Sequence, residues 1–233
     1  SLRGIVTWPR LAAVLEDVRR RVPDAELLVF TGDTAHDEAR ETYESVRQVL
    51  DEWAGRVRII PGNHDDRTCL RDLFPQGSGG PPGRVTFQVV WDNWQAIGLD
   101  SQQPGELPGS LGAEQLDWLR TRLQESLLPT LLLLHHPPIA VQSQWLDRIG
   151  LQDAPDFERL LQDHPHVRLV VCGHVHQSVA GTMGQATVFT TPAVGPQFRP
   201  RSEQLAIELA PPAYRVLELH GNGRWSTQIL RCG

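Results

Sequence analysis

Apolar residues run along this chain in two alternating rhythms. "RLAAVLEDVRRR" sets Leu11, Val14, Leu15 and Val18 at i, i+3, i+4 and i+7, which predicts an amphipathic helix with Pro9 near its start, where an amide N–H is not needed. "ELLVF" (26–30) is a short apolar run and predicts a buried strand ending at "TGD". "ETYESVRQVLDEW" returns to helical spacing through Tyr43, Val46, Val49 and Leu50, and "RVRII" (56–60) predicts the next strand, ending at "PGNHDD". "RVTFQVV" and "WQAIGLD" read as two more strands before a Pro/Gly-rich loop over 101–112. A helix over "AEQLDWLRTRLQ" carries Leu116, Leu119 and Leu123 on one side; the strand "TLLLL" then ends at "HHPP". "DFERLLQ" is helical, "VRLVV" leads into "GHVH", and "ATVFTT", "YRVLELH" and "WSTQIL" predict closing strands separated by turn residues. This alternation predicts an α/β fold. No repeat, low-complexity tract or linker divides the chain, so residues 1–233 are expected to form a single domain. Its first element is a helix with no strand before it, so the α/β layer is expected to lack its first strand and the domain to be N-terminally incomplete.

Composition narrows the partners. Arginine and lysine total 22 against 28 aspartate and glutamate, and the net charge of −6 argues against nucleic-acid binding. All 22 basic residues are arginines, so a lysine-dependent mechanism is excluded. Any cation facing a phosphate must be Arg, His or a metal. Cys69, Cys172 and Cys232 lack C-x-x-C spacing, which points to a reducing compartment and a cytoplasmic location. No apolar run is long enough to span a membrane; "LLPTLLLL" is broken by Pro129. The chain opens on Ser1 and its only methionine is Met183, so targeting is left open.

The chemistry gathers where strands end. Gly32-Asp33, Gly62-Asn63-His64-Asp65, His135-His136 and Gly173-His174-Val175-His176 each follow an apolar run. In open α/β sheets such ends converge on a ligand site. Each cluster alone is an ordinary polar turn; four in series predict a site. Two imidazoles at i and i+2 of an extended segment lie roughly 6–7 Å apart. That separation suits one histidine on each of two metal ions about 3.5–4 Å apart. Asp33 has two oxygens with which to bridge such ions, Asn63 offers a neutral amide oxygen, and imidazoles suit Zn, Fe, Mn or Co. The glycines before Asp33, Asn63 and His174 are expected to supply backbone angles for tight strand-end turns.

GD, GNHD, HH and GHVH, in this order, resemble the calcineurin-like metallophosphoesterases. "PGNHDD", "LLLLHHPPIAVQSQWLD", "HVRLVVCGHVHQ", "TPAVGPQF" and "APPAYRVLELHGNG" resemble the bacterial class III cyclic-nucleotide phosphodiesterases within them. The resemblance covers essentially the whole chain. It implies a metallophosphoesterase four-layer α/β/β/α sandwich with a dinuclear site of divalent Fe, Mn or Zn at the strand ends. By position, Asp33 would bridge the metals, Asn63, His135 and His174 would complete one, and His176 would bind the other. His136 would stand behind the ligands. Asn63 and His64 match the family's catalytic and substrate-contacting residues. The family's D-x-H motif does not precede Asp33 here, so the resemblance implies an incomplete second metal site.

The implied reaction is hydrolysis of 3',5'-cyclic AMP to 5'-AMP. Two metals would activate a water and neutralise phosphoryl charge, and His64 would protonate the ribose alkoxide. Arg199 in "QFRP" is a candidate for holding phosphate or ribose. The alternatives are a glycerophosphodiesterase or broad phosphoesterase, and a non-catalytic relative that has lost its first metal ligands. The expected partner is a small nucleotide, with no nucleic acid or membrane, acted on by a monomer or homodimer.

Overall fold

A computed structural model describes residues 4–75 and 80–232. Helix α1 (Trp8–Arg21) is followed by β1 (Leu28–Phe30), α2 (Arg40–Val49) with a 3-10 turn at Asp51–Trp53, β2 (Val57–Ile59) and α3 (Arg67–Leu73). Next come β3 (Phe87–Val90), β4 (Gln95–Gly98), α4 (Gly112–Glu125), β5 (Thr130–Leu134), α5 (Gln144–Asp147), α6 (Ala154–Asp163) and β6 (Val167–Cys172). The chain closes with β7 (Ala180–Met183), β8 (Ala186–Thr190), β9 (Gln197–Phe198), β10 (Ile207–Glu208), β11 (Ala213–Leu219) and β12 (Trp225–Arg231).

Among the described residues, one sheet has six strands in the order β3-β4-β5-β6-β8-β7, parallel from β4 through β8 with an antiparallel strand at each edge. Strand periodicity sorts its side chains into two cores. On β5 and β6, Leu132, Leu134, Val170 and Cys172 face α4 and α6, meeting Leu119, Leu123, Phe157 and Leu160. Leu131, Leu133, Leu169 and Val171 face the other way, toward Leu27, Val29, Leu217 and Leu219. Those partners lie on or beside the parallel pair β1–β2 and the antiparallel pair β11–β12. Behind that second β layer, Val14, Leu15 and Val18 of α1 and Val46 of α2 pack with Leu28, Phe30, Val57 and Tyr214. Helices, sheet, strand pairs and helices thus make the α/β/β/α sandwich, each fully buried Leu or Val contributing about 1.5–3 kcal/mol. Among the described residues β1–β2 and β11–β12 are not paired with each other. A cavity of about 1610 Å³, walled by Phe30, Leu131, Leu133 and Leu217, extends to the polar strand ends.

The helices match the sequence reading within a few residues, while most strands are shorter at their ends. Three short strands, β7, β9 and β10, and two short helices, α3 and α5, lie outside the predicted elements. Helix α3 has seven residues, too few for a period, and is started by Asp66, whose carboxylate accepts from the Cys69 N–H at 2.7 Å. Strand β7, "AGTM", has one strand-favouring side chain, Thr182, and is placed by pairing with β8 through Gly184, whose φ is +58°.

Candidate metal centre

The polar clusters follow β1, β2, β5 and β6 and meet at one end of the sandwich. His135, first after β5, is buried at the meeting point. Its Nδ1 lies 2.7 Å from the carbonyl of Thr31. A carbonyl only accepts, so Nδ1 carries a proton, and in the neutral form that a metal ligand must take Nε2 keeps its lone pair. Around that Nε2 stand Nδ1 of His174 at 3.1 Å, Oδ1 of Asn63 at 3.2 Å and Oδ2 of Asp33 at 3.5 Å. These groups bring electron pairs to one point. Ligand atoms held about 2.0–2.2 Å from one cation sit about 3–3.5 Å from each other, so the donor set fits a divalent metal. The other nitrogen of His174, Nε2, is buried without a hydrogen-bond partner among the described residues.

Charge follows the same plan. Burial opposes ionisation of Asp33, but the His135 and His174 rings and the His64 N–H outweigh it and hold the carboxyl below the usual range. Burial, with the neighbouring His135 and His136, keeps His174 well below the ordinary imidazole value. Burial pushes His176 down to about 4. Both rings are therefore neutral, as metal ligands must be. His135 also feels burial, yet Asp33 draws positive charge toward it and raises it.

His136 lies near His135 and His174, with ring nitrogens of all three within 4.8 Å. It is not free to bind. Its Nε2–H donates to the Leu107 carbonyl at 3.1 Å and its Nδ1 accepts from Ser101 Oγ at 2.8 Å. His176 uses Nδ1–H on the Pro196 carbonyl at 2.6 Å, which leaves the Nε2 lone pair. His64 lines the same cavity, its ring 4.2 Å from that of His36 and its backbone N–H donating to Asp33 Oδ1 at 3.0 Å. Burial lowers the His64 ring, with Asp33 opposing.

Local backbone aims these groups. Asp33, His174 and His176 have φ of 56°, 65° and 49°, left-handed values that cost a non-glycine residue about 1–2 kcal/mol. The GHVH segment is therefore a coiled turn, and its two imidazoles are separated by that turn, not by strand geometry. Of the preceding glycines only Gly32 needs positive φ, at +99°. Gly62 and Gly173 are required for close approach: a Cβ on Gly62 would collide with the Asp33 carboxylate, and one on Gly173 would lie 2.7 Å from the Thr31 carbonyl.

Asp33, Asn63, His64, His135, His174 and His176 all line the one cavity. Arg199 is not brought in; its side chain is exposed, and its backbone N–H and carbonyl engage Ala206 and Gln177. Asp65, the last residue of the GNHD motif, has a structural role that the motif alone does not reveal. It accepts from the N–H groups of Gly62, Thr34 and Ala35 and from the Tyr43 hydroxyl at 2.9–3.2 Å, stapling the β1 and β2 turns together. Phe198, whose ring stacks on His176, carried no polar signal to find it by.

This fold and donor cluster define a phosphoester-cleaving class of metal-dependent hydrolases. Residues 5–178 match the calcineurin-like phosphoesterase family, and the chain belongs to it. It is 38% identical over 229 residues to a "Probable cyclic nucleotide phosphodiesterase" of Synechococcus sp., covering 98% of this chain and 85% of that one. It is 33% identical over 232 residues to the 3',5'-cyclic adenosine monophosphate phosphodiesterase of Escherichia coli K12, covering 99% and 83%. The crystal structure of a dimetal phosphatase from Danio rerio superposes with a TM-score of 0.66 at 18% identity, over 96% of this chain and 88% of that one, a likeness of fold. Among the described residues no helix is long and apolar enough to cross a membrane.

Proposed function

We propose that this protein hydrolyses 3',5'-cyclic nucleotides, cyclic AMP foremost, with two divalent ions of Fe, Mn or Zn. The observation that carries this reading is the convergence of Asp33, Asn63 and His174 on His135 Nε2 within 3.1–3.5 Å, beside an unligated histidine, His64. Asn63, His135 and His174 would hold one ion, Asp33 would reach both, and His176 would hold the other. With those ligands described, the second ion is the more weakly held. Bound divalent metal supplies Lewis acidity to the phosphoryl group and lowers the pKa of water. The chain's residues do the rest. Asp65 ties together the turns that carry Asp33 and Asn63, and Gly62 lets the Asp33 carboxylate pack against that backbone. His64 donates a proton to the ribose alkoxide, which without it is a poor leaving group. An arriving phosphodiester anion acts on the His64 ring as Asp33 does, raising it against burial.

The test compares turnover of cyclic AMP with glycerophosphocholine by the Mn²⁺-loaded protein. Faster turnover of cyclic AMP, yielding 5'-AMP, is expected. Preference for glycerophosphocholine would move the protein to the glycerophosphodiesterases, and no turnover of either would overturn the reading.

A further inference from the structure

His176 is held differently from the other histidines of the site. His135 and His174 sit among donors that hold one another, and His136 is wedged between Ser101 and Leu107. His176 has one hydrogen bond, at Nδ1, and a phenylalanine ring stacked on its face. Both restraints come from one short stretch. The Pro196 carbonyl takes the Nδ1 proton at 2.6 Å, and the Phe198 ring lies parallel to the imidazole, 4.3 Å away with 4° between planes. That stretch is itself pinned. The Gln197 side chain bonds to both the N–H and the carbonyl of Ala193, the Arg199 carbonyl accepts from Gln177, and Trp145 abuts Phe198 edge-on at 5.1 Å.

We propose that Phe198 is a positioning residue for metal binding: its ring fixes the plane of His176 so that Nε2 is presented to the second ion. This rests on His176 holding that ion, as proposed above. The hydrogen bond to Pro196 restrains rotation about Cβ–Cγ at one edge of the imidazole, and a flat face stacked on the ring narrows that rotation further. A cation at Nε2 would make the imidazole electropositive, and the electron-rich Phe198 face would stabilise it. With Asp33 and His176 assigned to that ion, the orientation of each weighs in its affinity. Partners behind a metal ligand are typically worth about 10–100-fold in affinity.

The experiment is calorimetric titration of chelator-stripped, full-length protein with Mn²⁺. Phe198→Leu should leave the tighter step unchanged and weaken the second about 10-fold or more. Phe198→Tyr, which keeps the flat ring, should restore it. Phe198→Met serves as a second variant, filling the space beside Trp145 without a planar face, and the tighter step reports that each variant is folded. His176→Ala is run alongside. If it abolishes the weaker step while Phe198→Leu and Phe198→Met bind both ions as the unaltered chain does, the positioning role is overturned and the ligand assignment stands. If His176→Ala itself binds both ions unchanged, the ligand assignment fails and this inference with it.

Discussion

His64 and Asn63 are adjacent in sequence and do different work, because the turn after β2 points them differently. Asn63 Oδ1 faces His135 Nε2, whereas the His64 ring lies against His36. What ties His64 to the proposed metal ligands is its backbone N–H on Asp33, and substitution of its side chain keeps that bond. His64→Ala is therefore expected to retain its metal, measured by elemental analysis. It should slow cyclic AMP cleavage by about 10²–10⁴-fold, the usual worth of a general acid. A p-nitrophenyl phosphodiester leaves as a stable phenolate and needs no proton, so its hydrolysis should fall much less. Equal losses on the two substrates would reject proton donation by His64.

At the scale of elements, α1 reaches the last strands through one buried carboxylate. Asp17 accepts from the Tyr214 hydroxyl on β11 at 3.0 Å and from Arg20 of its own helix at 2.8 Å, in an interface built mainly on apolar contacts, to which Arg10 adds bonds to the Gly195 and Ala210 carbonyls. Tyr214→Phe keeps the ring and removes the bond. It is expected to cost about 1–2 kcal/mol, read as a lower urea midpoint with unchanged slope. The hydrogen bond from Arg20, against burial and with help from Tyr214, holds Asp17 below its ordinary value of 3.8. A carboxylate lowered by folding stabilises above its unfolded value and loses that contribution as pH falls through the folded one. The difference between Tyr214→Phe and the unaltered chain should accordingly shrink as pH is taken below 3.8. A deficit equally large in acid would show that ring packing, not the charged bond, accounts for it. Such links are invisible in sequence, since residues 17 and 214 share no pattern. Helices α1, α4 and α6 were legible because an apolar stripe repeats over two or more turns, as were β5 and β6 from unbroken apolar runs. Asp33, Asn63, His135 and His174 were legible because each ends such a run. Their aiming was not: the left-handed φ of His174, the collision that keeps Gly62 a glycine and the Phe198 face all depend on chain neighbours distant in sequence.

Across the whole molecule, the site draws its donors from both β layers. Asp33 and Asn63 follow β1 and β2, while His135 and His174 follow β5 and β6 in the six-stranded sheet. A cation shared by them, as proposed, would cross-link the two layers at the end where the cavity opens between them. Binding to the folded state alone stabilises it by RT ln(1 + [L]/Kd), about 2.7 kcal/mol when the ion is at 100 times its Kd. On the proposed assignment the two positions differ: three donors surround His135 Nε2 at the first, while Asp33 and His176 are assigned to the second. Stripping the protein with chelator should therefore lower its thermal midpoint, and adding back Mn²⁺ should raise it in two stages. The first stage should come at low concentration and vanish in Asn63→Leu. The second should need much more ion and vanish in His176→Ala. A single stage that survives Asn63→Leu would remove Asn63 from the tighter position, and a midpoint indifferent to Mn²⁺ would mean that these four segments do not share a metal at all.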